Sequence, residues 1–305
     1  MMNWKRFLLP ALLSVITLPS AAYAELRIFA CEPEWAALAR EVGGDKVNAF
    51  SATHVGQDPH YIRARPSLVS QIRRADLLFC SGAGLEAGWL PILMQRGAKS
   101  GIQPGKLGHL IAVDHVPVLE IPAVLDRRLG DIHAEGNPHV HLDPRNILIL
   151  ARELTNRLTM LDEENAAHYR KRLKNFETSW SRALEGWEVR AKKLSGMAVI
   201  VHHKSWVYLV SWLGLHQMAT LEPKPGMPPT PSHLTALLKV SRGQSVKAIM
   251  RTPYDPANGS EWLATKTDIP AIVLPYTVAR DAGPGALAQM FERTLSLLET
   301  ARAKP

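Results

Sequence analysis

Two of the twelve histidines in this 305-residue chain, His139 and His141, stand two apart in GNPHVHLDP, Gly136 to Pro144. On an extended backbone, residues two apart face the same side, so both imidazoles could reach one metal ion. The other candidates are His60 in GQDPHYIRARPS, the pair His202 and His203 in VIVHHKSW, and Asp281 in YTVARDAGPG. Neutral imidazoles and a carboxylate suit a divalent transition metal, so the chemistry within reach is metal binding. A metalloenzyme keeps one coordination position open, whereas a carrier closes the set with protein ligands. The separations are 79, 64 and 78 residues from His60 through His139 and His203 to Asp281. Spacing alone therefore brings nothing together, and the fold must.

The elements available to do so alternate in type. Short apolar runs at 26–30, 47–51, 76–80, 197–202, 248–251 and 271–274 read as strands. Helical stretches at 34–42, 67–74, 205–213, 232–242, 260–266 and 284–301 lie between and after them. That alternation predicts α/β units with parallel sheets. Between Asp162 and Leu194, the residues Tyr169, Leu173, Phe176, Trp180, Leu184, Trp187 and Leu194 recur at intervals of three, four or seven. This is the apolar stripe of one long helix, whose 33 residues would run about 50 Å. The architecture predicted is two parallel-sheet α/β lobes, residues 25–161 and 195–305, joined by a connecting helix over 162–194. Ligands of open parallel sheets sit beyond the carboxyl ends of strands. His60, His202, His203 and Asp281 all follow strands, so a cleft between the lobes is where they would meet.

The first 24 residues read as a cleavable secretory leader. Lys5 and Arg6 precede an apolar run from Phe7 to Leu18, and Ala22-Tyr23-Ala24 supplies a small-x-small cleavage site. Export to the periplasm is the expectation. Without Lys5 and Arg6 the formal charge of +8 falls to +6. The remaining basic residues are scattered, which argues against nucleic acid as a partner. The only cysteines, Cys31 and Cys80, end two apolar runs; if those strands are neighbours, a disulfide is within reach, and the exported compartment would preserve it.

Five segments together resemble the zinc and manganese solute-binding proteins of bacterial ABC importers, the ZnuA- and TroA-like group. They are DPHYIRARPS, ADLLFCSGAGLEAGW, NPHVHLDP, VIVHHKSWVYLVSWLGL and EPKPGMPPTPSHL, in the family's order. The resemblance implies metal ligands at His60, His139, His203 and Asp281. Counting back from Gly214-Leu215 selects His203 over His202. His139, directly after proline, takes the ligand place, and His141 stands where relatives carry a large aromatic residue, which puts it behind or at the rim of the site. Asp58 or Glu222 could stand in for Asp281. Three imidazoles and one carboxylate favour zinc over manganese, the alternative cargo.

The implied function is capture of a divalent metal ion and delivery to a membrane permease with its cytoplasmic ATPase. A monomer is expected, with a periplasmic metallochaperone as a further partner. The loop LDRRLGDIHAEG holds His133 with Asp126, Asp131 and Glu135, and reads as an ordinary loop more readily than as a second ion site. The rival function is an exported zinc hydrolase of metallo-β-lactamase type, built on the His-x-His-x-Asp of residues 139–143. The histidine that should follow that aspartate is Pro144 here.

Overall fold

The computed structural model describes residues 25–124, 130, 133–243 and 245–304. The expected leader lies outside these residues, as do Asp126 and Asp131. Among the described residues, no helix is long and apolar enough to cross a membrane.

Strands β1 (Leu26–Ala30), β2 (Val47–Ser51), β3 (Leu77–Cys80) and β4 (His109–Ile111) form one parallel sheet in the order β2-β1-β3-β4. Strands β5 (Ala198–Val201), β6 (His216–Thr220), β7 (Ala248–Arg251) and β8 (Ala271–Val273) form another, in the order β6-β5-β7-β8. The second sheet repeats the first. In each, the winding reverses beside the first strand of the set, leaving a crevice at the carboxyl ends of β1 and β3, and again at those of β5 and β7.

The repeat holds at the level of single residues. Cys31 donates its N–H to the Phe79 carbonyl at 2.9 Å, as His202 does to that of Met250 at 2.8 Å. Thr53 donates to the Cys31 carbonyl, and Glu222 to that of His202, at 3.2 Å each. Position for position, Cys31 corresponds to His202, Glu32 to His203, and Thr53 to Glu222. The expected disulfide is present between Cys31 and Cys80, with Cα atoms 4.8 Å apart.

The helices are α1 (Pro33–Gly43), α2 (Pro66–Arg74), α3 (Leu90–Gly97), α4 (Pro144–Leu161), α5 (Ala166–Leu194), α6 (Val207–Leu213), α7 (Pro231–Gly243), α8 (Ala257–Thr267) and α9 (Ala286–Arg302). The long helix begins at Ala166, four residues later than the stripe predicted. Asp162 caps the end of α4, and its carboxylate accepts from Asn165 Nδ2 at 2.8 Å and from the Tyr169 hydroxyl at 2.6 Å. Those bonds fix a tight turn before α5 can start.

Helix α5 then packs against α1 and α4 of the first lobe and α6 and α9 of the second. Its Trp180 and Trp187 lie 5.8 and 5.3 Å from the Phe291 ring of α9. The Trp180 indole donates to the Pro144 carbonyl at 2.8 Å. One hydrophobic cluster therefore runs through both lobes, from Ile28 and Leu77 through Trp180 to Val199, Met250 and Phe291.

Candidate metal centre

Each expected histidine is placed by a short local device. His60 lies in a single 3-10 turn, Pro59–Tyr61, opened by Asp58. The Asp58 carboxylate accepts from the His60 backbone N–H at 3.0 Å and from its ring Nδ1 at 2.6 Å. The Trp89 indole holds the Pro59 carbonyl at 2.9 Å, tying this turn to the buried side of the first lobe. His203 follows β5 on an extended backbone, and its Nδ1 lies 2.6 Å from Glu222 Oε2. In both cases the carboxylate accepts a hydrogen bond from Nδ1–H and leaves the Nε2 lone pair for a ligand, the usual arrangement behind a metal-binding imidazole.

His139 is held differently. Gly136 precedes it with φ of 98°, and a Cβ there would come within 2.4 Å of Val118 Cγ1, so only glycine turns the chain in this space. Asn137 then accepts from the His139 N–H at 3.1 Å and donates to the Lys204 carbonyl at 2.9 Å, across to the second lobe. The His139 ring is fully buried. Its Nδ1 lies 2.6 Å from the Tyr276 hydroxyl, while its Nε2 is buried with no hydrogen-bond partner.

Around that orphaned nitrogen the other rings gather. His60, His133 and His203 have centroids 5.7, 6.2 and 6.4 Å from that of His139. His60 Nε2 and His133 Nε2 are 3.1 Å apart, a contact that requires a proton on one of the two. The ligand atoms of His60, His133 and His139 all lie within 4.8 Å of one another, close enough for one ion.

Burial and the neighbouring imidazoles push the His139 pKa well down, so the ring is neutral. Burial would lower that of His203 as well, but the Glu222 carboxylate outweighs it and holds the pKa above its ordinary value. A proton thus competes with metal for His203 at higher pH than it would for a free imidazole. Burial would raise the Asp58 carboxyl; the His60 hydrogen bonds outweigh it and keep it below the usual range.

The structure brings the ligand atoms of His60, His133 and His139 within range of one ion and places the His203 ring 5.9 and 6.4 Å, centroid to centroid, from those of His60 and His139. No local pattern in the sequence points to His133, because its approach to the other rings is set by tertiary structure. Asp281 does not join these rings through any hydrogen bond or ion pair among the described residues. It is exposed and lies in the field of the Arg40 guanidinium.

His141 is fully buried and turned away. Its Nε2 donates to the Tyr276 carbonyl at 2.9 Å, and its Nδ1 lies 3.3 Å from Glu34. Residues 140–142 form a 3-10 turn and not a strand, so the two-residue spacing does not aim both rings at one ion. The His-x-His pairing needed by the hydrolase reading is absent.

A family profile described as zinc-uptake complex component A, periplasmic (ZnuA), matches residues 28–301. The chain belongs to that family. Among sequence relatives, it is 30% identical over 156 residues to the manganese ABC transporter substrate-binding lipoprotein scaA of Streptococcus gordonii, covering 50% of this chain and 47% of that protein. The chain thus spans about half the length of the curated relatives that it matches first. Among solved structures, a crystal structure of ZnuA superposes with a TM-score of 0.74 at 19% identity, over 92% of this chain and all of the other. A cadmium-bound periplasmic metal-binding protein from Candidatus Liberibacter asiaticus gives 0.72 at 18% identity, over 91% of this chain and all of that one. At these identities the likeness speaks to the fold: the two-lobed α/β architecture is the ZnuA architecture.

Proposed function

We propose that this ZnuA-family chain captures a divalent metal ion at the seam between its lobes and delivers it to a membrane permease driven by a cytoplasmic ATPase. The observation that carries the reading is His139 Nε2, a buried nitrogen without a partner, encircled by three more imidazoles. A cation there would satisfy a group that is otherwise costly to bury. The donors are imidazole nitrogens backed by carboxylates, which favours zinc over manganese, an ion better served by oxygen. The protein would work as a monomer outside the cytoplasm, where its disulfide persists.

His60, His139 and His203 form the core of the ligand set. We assign the fourth place to His133, already in contact with His60. Asp281, which the resemblance implied, is exposed and makes no hydrogen bond or ion pair with these rings among the described residues.

Zinc titration of the metal-stripped protein against a chromophoric chelator tests both statements. The wild type takes up one tight equivalent, and His60→Ala, His139→Ala and His203→Ala each lose it. His133→Ala weakens it by about 10- to 100-fold, while Asp281→Ala leaves it nearly unchanged. The reverse ranking of the last two gives the fourth place to Asp281. A wild-type protein with no tight zinc sinks the reading.

A further inference from the structure

The adjacent histidines of VIVHHKSW serve different spaces. His203 has φ of −119° and ψ of 163°, and neighbouring residues on such an extended backbone point to opposite sides. The His203 ring meets the metal centre, whereas His202 lines a separate cavity of about 490 Å³ in the crevice of the second lobe. Asp255, Tyr254 and Trp262 also line this cavity, and Asp58 and Glu222, the carboxylates behind His60 and His203, form part of its wall.

Two observations mark the cavity as a ligand site. His202 is only 3% exposed, and its Nδ1 is buried without a hydrogen-bond partner among the described residues. Buried polar atoms are nearly always paired, so an orphan calls for an explanation. The second is Asp255, whose side chain lines the same cavity as His202. The Thr252 N–H holds Asp255 Oδ2 at 2.8 Å, and the Thr252 hydroxyl accepts from the Asp255 N–H at 3.2 Å. The carboxylate is therefore fixed in place, not swinging from a surface loop.

We propose that His202 and Asp255 form a second divalent-cation site in the crevice between the carboxyl ends of β5 and β7. It would bind a borderline ion such as zinc through one imidazole nitrogen and one carboxylate oxygen, with water completing the coordination. The cavity is large enough to hold those waters. With half its ligands exchangeable, the site is weaker than the histidine centre, and it adjoins that centre through the Glu222 wall. An ion held there waits one side chain away from His203. The site stands on residues that the centre does not use, so it goes beyond the metal-carrier reading and does not require it.

The test combines zinc titration of the full chain with a zinc-edge anomalous map of zinc-saturated crystals. Two equivalents are expected, the second on the order of 100-fold weaker because water replaces two protein ligands. Its anomalous peak should lie between His202 and Asp255. His202→Gln and Asp255→Asn should each remove that peak and the weak equivalent while keeping the tight one. No peak there at saturating zinc, or a weak equivalent that survives in both variants, overturns the proposal. A peak at His202 in a protein lacking the tight equivalent would sink the carrier reading and leave this one standing.

Discussion

At the carboxyl ends of β1 and β3 the first lobe places Cys31, Cys80, Glu32 and Glu86; at those of β5 and β7 the second lobe places His202, His203 and Asp255. The strand order is the same, and Cys31 and Glu32 correspond to His202 and His203, but the first crevice is filled and the second is open. In the first, both sulfurs are fully buried and joined to each other. The Trp35 indole donates to the Ser81 hydroxyl at 2.9 Å, and that hydroxyl donates to Glu32 at 3.1 Å. Glu86 accepts from the Ser81 and Gly82 N–H groups at 2.8 and 3.1 Å. The sulfurs and the Glu86 carboxylate lie close enough together for an ion, yet the disulfide leaves no thiolate to bind one. A switch point thus becomes a site only where side chains leave space for a ligand and donors free to bind it, which the bonded sulfurs do not.

The contrast can be attacked at three points. The strongest is the disulfide, which joins residues 49 apart in sequence. Replacing both Cys31 and Cys80 with alanine should cost about 4 kcal/mol by the chain-entropy argument, read from denaturant unfolding, with zinc stoichiometry retained. A loss below about 1 kcal/mol would mean that the first crevice is not held shut by its sulfurs.

Next is the pair of corresponding positions, Glu222 and Thr53. Glu222→Gln should weaken tight zinc binding by about 10- to 100-fold, since it removes the acceptor that orients His203. Thr53→Val should leave zinc binding untouched. Equal effects would erase the distinction between the lobes.

The smallest effect is a pH dependence. Burial lifts the pKa values of Glu32 and Glu86, that of Glu86 from 4.5 to about 7. Between those values the folded chain holds a proton that the unfolded chain releases, so stability falls as pH rises through that window. Melting the metal-free protein at pH values across the window should show a decline of a few degrees, and Glu86→Gln should flatten it.

Much of this was legible in the chain because strand runs such as LRIFA and AIMR are apolar and bounded by turns. The β4 and β6 strands escaped notice because HLI is too short and HQMAT too polar to announce a strand. Helix α4 carries a start signal in Pro144 and the Asp143 cap, but the preceding GNPHVHLDP reads as a ligand segment and masks it. Cys31 and Cys80 could be paired in prospect because both end strands. His60, His139 and His203 could be nominated from the family's motifs. His133 and the His202 cavity could not, because each depends on which loops and strand ends meet in three dimensions.

On the carrier reading proposed above, helix α5 limits how an ion could be released. A clamshell motion of the lobes would pull Trp180, Trp187 and Phe291 apart, and each buried aromatic ring is worth about 1.5–3 kcal/mol. Unhooking His203 from Glu222 and rotating it about its Cα–Cβ bond breaks the one hydrogen bond at its Nδ1. In the carrier proposed above, release would be a matter of turning a key at the rim, while the two halves stay bolted together.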